Sequence, residues 1–213
     1  MVMRSALLGT ACALALAGSA QARGWYAGID LGLSAVSDTD VHWVTTSAGL
    51  IGIDTGVVAR FESGFVVLAA VGYALQQWRI EGELGWRSND KDQFTPLGPS
   101  SGDLDELTVM FNMTYDIPLG NGLNLALGAG AGVDYAMLDI VNVDDGSFNF
   151  AYQGIAALYY AVAPNVELAL GYRYLHVLDP EFKDTTAGIT TYYDFEDISK
   201  HAVTLGVRYT FAP

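Results

Sequence analysis

Taken two residues at a time, the chain separates into stretches that are apolar on one side and small or charged on the other. The clearest is Trp78–Arg87, where Trp78, Ile80, Leu84 and Trp86 fall on one side and Arg79, Glu81, Glu83 and Arg87 on the other. Side chains of a strand alternate between its two faces, so this segment shows tryptophan on one face and charge on the other. The same alternation predicts eight strands, at about 25–36, 64–75, 78–88, 105–117, 123–137, 150–162, 166–176 and 201–211. Each is of a length that crosses a membrane at a tilt.

The connections alternate in length. Short turns fall at 76–77, at Pro118–Gly122 and at Ala163–Asn165, and long polar loops at about 37–63, 89–104, 138–149 and 177–200. Short turns on one side and long loops on the other predict an all-β fold, an eight-stranded antiparallel up-and-down transmembrane β-barrel, with the turns periplasmic and the loops extracellular. In that arrangement Trp25, Tyr73, Trp78, Tyr115, Tyr160 and Tyr209 fall at the periplasmic rim. Phe65, Trp86, Tyr135, Phe150, Tyr152, Tyr172 and Tyr174 fall at the outer rim. Two aromatic girdles are what the two membrane interfaces favour.

The faces turned away from lipid are lean. They read Gly28, Asp30, Gly32, Ser34 in the first strand and Gly128, Gly130, Gly132, Asp134 in the fifth. The interior of an eight-stranded barrel is just wide enough for side chains, so small residues leave room for a few long charged ones. A soluble ligand-binding barrel needs the reverse, an apolar interior and a polar exterior. The second strand fits least well, since Val66, Leu68 and Ala70 would face the lumen.

The ends and the composition narrow the setting. Arg4, the apolar run Ala6–Gly18 and Ala20-Gln21-Ala22 are read as a cleavable signal peptide over 1–22, with the barrel domain occupying 23–213. Cys12, the only cysteine, lies inside that run, which leaves the barrel without a disulfide or a cysteine nucleophile. No later stretch is apolar for long enough to form a transmembrane helix. The net charge of −14 argues against a nucleic-acid partner.

Three segments carry a family resemblance. Gly24-Trp25-Tyr26-Ala27-Gly28-Ile29-Asp30-Leu31-Gly32 looks like the first strand of small outer-membrane barrels, and Glu167–Tyr174 is similar to their penultimate strand. Val203–Phe211 resembles their closing strand with its terminal aromatic assembly signal, here Tyr209 and Phe211, although Ala212 and Pro213 follow where that aromatic usually ends the chain. Over 23–213 the chain resembles the OmpA-like transmembrane barrel superfamily, in its porin-like or opacity-protein-like group from proteobacteria. The resemblance implies residence in the outer membrane, contact with its lipid and lipopolysaccharide, and handling by the outer-membrane assembly machinery.

The best-defined constellation is a lumen charge network in which Arg79, Arg87, Arg173 and Arg208 face Asp30, Glu81, Glu83, Asp134 and Glu167. Charges in a narrow lumen of low dielectric must be paired, so the network reads as a structural plug, with a narrow solute pore as the alternative. Loops 37–63 and 177–200, rich in Thr, Tyr and acid, are candidates for an extracellular ligand or host contact, and Lys200 is counted among the loop residues. A lipid-modifying enzyme would need a serine–histidine pair with a third group orienting the base. The histidines are His42, His176 and His201; Ser199 and His201 share a strand face with Asp197 near, and they are read as ordinary rim residues. The sequence therefore points to a non-enzymatic barrel with an envelope-structural and surface-display role, and with no catalytic, metal or cofactor site.

Overall fold

A computed structural model describes residues 24–37, 39–47, 50–51, 57–61, 63–95, 102–140, 143–178, 181–186, 189–195 and 197–211. Residues 1–23, which include the segment 1–22 expected as a signal peptide, and residues Ala212 and Pro213 lie outside them. Every element among the described residues is a strand: β1 (Gly24–Val36), β2 (Thr39–Ser47), β3 (Leu50–Ile51), β4 (Val57–Phe61), β5 (Gly64–Leu75), β6 (Trp78–Thr95), β7 (Gly102–Gly120), β8 (Leu123–Ile140), β9 (Val143–Ala163), β10 (Val166–Val177), β11 (Glu181–Thr186), β12 (Ile189–Phe195) and β13 (Ile198–Thr210).

Eight of these close a barrel in the order β1-β5-β6-β7-β8-β9-β10-β13, every neighbouring pair antiparallel. The first strand closes the ring, with Gly28 opposite Ala70 of β5 on one side and Arg208 of β13 on the other. Closure matters because an open edge cannot be tolerated in hydrocarbon, where no water satisfies its amides and carbonyls.

Tight turns join the strands at one end. Gln76 takes a left-handed backbone (φ 60°) at the β5–β6 turn. Asn121 (φ 52°) and Gly122 (φ 77°) do so together between β7 and β8, the pattern that continues strand twist through a two-residue hairpin. At the opposite end the strands are longer than the alternation predicts. Segments 89–104 and 138–149, expected as loops, are largely strand: β6 runs to Thr95, β7 begins at Gly102, β8 runs to Ile140 and β9 begins at Val143. Beyond the bilayer both faces of a hairpin meet water. The apolar–polar alternation disappears there, yet the hydrogen-bond ladder continues.

Segments 37–63 and 177–200 also contain strands that the sequence reading missed. The outer part of β6 carries β4 (Val58 opposite Thr95), β4 carries β2 (Val41 opposite Val57), β2 carries β12 (Trp43 opposite Tyr193), and β12 carries β11. These short Thr-, Val- and Tyr-rich pieces have strand propensity but no lipid-facing stripe. They pair because β6 runs on past its last partner in β5, Ser88 opposite Phe65, and β4 continues along that same edge in nearly the same register.

Burial is inverted relative to a soluble domain. Leu205 is 67% exposed and Phe111 63%, whereas Arg87 is 1% exposed and Lys200 1%. Such a surface is stable only against hydrocarbon. Ring pairs mark both rims: Trp25 with Tyr73 (5.4 Å) and Trp78 with Tyr115 (4.9 Å) at the turn end, Tyr135 with Phe148 (4.4 Å) at the other. The register of the second strand stands as read. Val66 and Leu68 face inward and, with Ala202, form a small buried apolar cluster inside the lumen.

Candidate functional site

Besides that apolar cluster, the lumen holds polar side chains in three tiers. In the tier nearest the turns, Arg79 of β6 pairs with Asp116 of β7 and with Glu167 of β10 (3.2 Å), and Arg208 of β13 approaches Glu167 at 3.6 Å. Two inward rings sandwich these cations. The Arg208 guanidinium lies 3.6 Å from the Tyr159 ring centre and 4.7 Å from that of Tyr26, and Arg79 lies 5.2 and 5.6 Å from the same two rings. Delocalised arginine suits both carboxylate forks and aromatic faces.

The middle tier is centred on Arg173 of β10. Its Nη2 sits 2.9 Å from Glu83 of β6 and 3.1 Å from Asp30 of β1, so one side chain ties three strands across the lumen. The acceptors are shared with neutral donors. Gln153 Nε2 donates to Glu83 (3.0 Å) and to Asn112 Oδ1 (2.8 Å), Asn112 Nδ2 donates to Glu81 (3.1 Å) and Glu83 (3.3 Å), and the Tyr26 hydroxyl donates to Glu81 (2.8 Å). Beside this tier lies a water-sized cavity lined by Tyr26, Asp30, Glu81, Tyr159, Arg173 and Arg208.

In the outer tier Lys200 of β13 pairs with Glu106 of β7, and Arg87 donates to the Thr108 hydroxyl (3.1 Å). The Asp134 carboxylate is fully buried, and Arg87 acts on it only through space.

The nine residues expected in the lumen all point there, but not as one set of pairs. Asp30, Glu83, Glu167, Arg79, Arg173 and Arg208 form ion pairs, Glu81 is held by neutral donors, and Arg87 and Asp134 interact through space. The sequence reading missed Asp116, Glu106 and Lys200. The first two share the inward parity of Thr108, Asn112 and Thr114, which is legible once the outward run Leu107–Ile117 is fixed. Lys200, assigned to a loop, is instead buried in the lumen, because β13 begins at Ile198 and Lys200 opposes Val36. Of the expected assembly signal, Tyr209 and Phe211 lie on the outer face in edge-to-face contact (5.4 Å), and the Phe211 amide donates to the Trp25 carbonyl (2.8 Å).

A second polar cluster sits on the outside of the barrel at the extracellular girdle. The β10–β13 register sets His176 opposite Ser199 and Tyr174 opposite His201, while the β9–β10 register sets His176 opposite Tyr152. His176 Nδ1 lies 3.0 Å from Ser199 Oγ and its Nε2 lies 3.0 Å from Asp197 Oδ2. The Tyr174 hydroxyl lies 2.9 Å from the same serine oxygen. Ser199 therefore meets His176 and not His201, which bonds Tyr172 instead (2.7 Å). Directly opposite residues on paired strands stand about 5 Å apart, nearer than second neighbours along one strand, about 6.6 Å. The acidic loop residues at 38–62, 90–104, 138–146 and 179–196 lie outside the described side chains.

The comparisons with known proteins agree with this architecture. Neisserial surface protein A aligns with 91% of this chain and 99% of its own at 20% identity and a TM-score of 0.60. The outer membrane protein OprG from Pseudomonas aeruginosa aligns with 89% of this chain and 98% of its own at 14% identity and 0.60. The outer membrane protein AlkL, solved in lipid bilayers, gives 92% and 94% at 14% identity and 0.58. A search of curated proteins finds no match. The model of the outer membrane protein beta-barrel domain matches residues 4–211. With its closed ring of eight strands, apolar outside and charged within, the chain belongs to the outer-membrane β-barrel domain family and is an outer-membrane protein.

Proposed function

We propose that this barrel is an envelope-structural protein that keeps its lumen shut and displays its extended extracellular strands at the cell surface. The observation that carries the reading is the Arg173 bridge to Asp30 and Glu83, backed by Gln153 and Asn112. Five strands meet in that one tier, and no side chain in it is free to swing aside without stranding a buried charge. Breaking such a pair costs about 3–5 kcal/mol, too much for a gate that opens readily. The lumen is thus a scaffold and does no chemistry. Surface display is supported by the pairing of β2 with β12, which joins segments 37–63 and 177–200 into one sheet that could meet an extracellular ligand.

The test is conductance. The folded protein in planar bilayers gives no discrete current steps in concentrated potassium chloride, whereas Arg173→Ala combined with Gln153→Ala raises the leak. Regular unit steps from the unaltered protein would replace this reading with a narrow small-solute pore.

A further inference from the structure

The geometry points to a second role: we propose that Ser199, His176 and Asp197 form a serine-esterase centre on the outside of the barrel that cleaves acyl esters of lipids in the outer leaflet. The chemistry of the three groups fixes their roles. Asp197 as a carboxylate only accepts, so His176 Nε2 carries the proton of their 3.0 Å contact. In the neutral ring Nδ1 is then an acceptor, and Ser199, 3.0 Å away, donates to it. That is a nucleophile on a base on an orienting carboxylate, the arrangement that activates a serine hydroxyl. The histidine ring is held between Tyr152 (4.8 Å) and Tyr174 (6.2 Å), so its aim at Ser199 does not depend on the hydrogen bonds alone.

Location names the substrate class. The cluster faces outward at the level of the extracellular girdle, beside Tyr152 and Tyr172, where lipid headgroups and their ester linkages lie. Just below it Leu158, Leu168, Leu170, Val203 and Leu205 are exposed to lipid and provide a track for an acyl chain. The backbone amides of paired strands are committed to the ladder, so the donor for a developing oxyanion has to be a side chain. The Tyr174 hydroxyl, 2.9 Å from Ser199 Oγ and 3.4 Å from His176 Nδ1, is the side-chain donor at hand.

In the reaction Ser199 Oγ bonds to the ester carbonyl carbon as its proton passes to His176 Nδ1. Asp197 stabilises the imidazolium, and Tyr174 donates to the carbonyl oxygen as it gains charge. Collapse breaks the bond to the alcohol, which leaves with the proton from Nδ1. Water then attacks the acyl-serine by the same route and releases a fatty acid, regenerating the hydroxyl.

The full barrel is tested folded, in phosphatidylcholine vesicles with and without lipopolysaccharide, by fatty-acid release and by covalent capture with a long-chain fluorophosphonate. The unaltered protein is expected to release fatty acid and take the label. Ser199→Ala takes none, His176→Asn is slower by at least about 100-fold, and both retain the gel shift of a folded barrel. Release from phosphatidylcholine alone assigns a phospholipid substrate, and release only with lipopolysaccharide assigns its acyl chains. A folded, unaltered protein that neither releases fatty acid nor takes the label overturns the proposal. So does Ser199→Ala labelling as well as the parent, or labelling without release from either lipid.

Discussion

Arg173 shows at single-residue scale what holds the lumen together. Its guanidinium pairs with two carboxylates from different strands while itself only 4% exposed. Arg173→Ala leaves Asp30 and Glu83 without the cation they share and is expected to cost about 3–5 kcal/mol in unfolding from lipid vesicles. Adding Glu83→Gln to Arg173→Ala removes one stranded charge and should recover part of that loss. A double variant weaker than the single one would mean the carboxylate has partners that matter more than Arg173. Glycine sets the complementary requirement for space. A methyl group at Gly206 would fall 1.7 Å from Asp30 Oδ1 and 2.7 Å from the Ile29 carbonyl, whereas one at Gly154 meets nothing within 4 Å. Gly206→Ala should therefore lower the denaturation midpoint clearly, and Gly154→Ala should leave it within about 0.5 kcal/mol of the parent.

Among the elements, β13 carries the greatest burden, because it closes the ring against β1 while supplying Lys200, Arg208 and the rim serine. Its last contacts are the Phe211 amide on the Trp25 carbonyl and the Phe211 ring against Tyr209. Phe211→Ala is expected to lower the folded outer-membrane level severalfold, measured by quantitative blot. Deleting Ala212 and Pro213 should leave it nearly unchanged, since Pro213 has no amide to add to the ladder. The reverse ranking would move the assembly signal beyond Phe211. The remaining strands confirm how far alternation carries. The lipid-crossing segments are placed within a few residues, including β5, whose inward Val66 and Leu68 depart from an otherwise polar lumen.

At the scale of the whole molecule, closure and inverted burial act together. Each of the eight strands is laddered to both of its neighbours, and the apolar exterior of the ring is matched to hydrocarbon. Unfolding must break that ladder cooperatively, so the unheated protein is expected to migrate apart from the boiled protein on a denaturing gel and to fractionate with the outer membrane. Recovery as a soluble periplasmic species with a single gel position would contradict the architecture.

Sequence alone determined the number, order and facing of the membrane strands, because lipid on one side and a narrow lumen on the other impose a period of two along each of the eight lipid-crossing segments between Trp25 and Phe211. It also marked Arg79, Arg173 and Glu167 as inward, by parity. Tertiary structure decided everything that depends on which residues meet across strands. The partner of Arg173, the burial of Lys200 and the pairing of β2 with β12 follow from register and from where strands outlast the bilayer, and neither leaves a periodic trace. The same reason hid the rim cluster. His176 and Ser199 lie far apart in the chain and become neighbours only because β10 and β13 pair in one register, which a slip of a single residue would abolish by turning one of them to the other face.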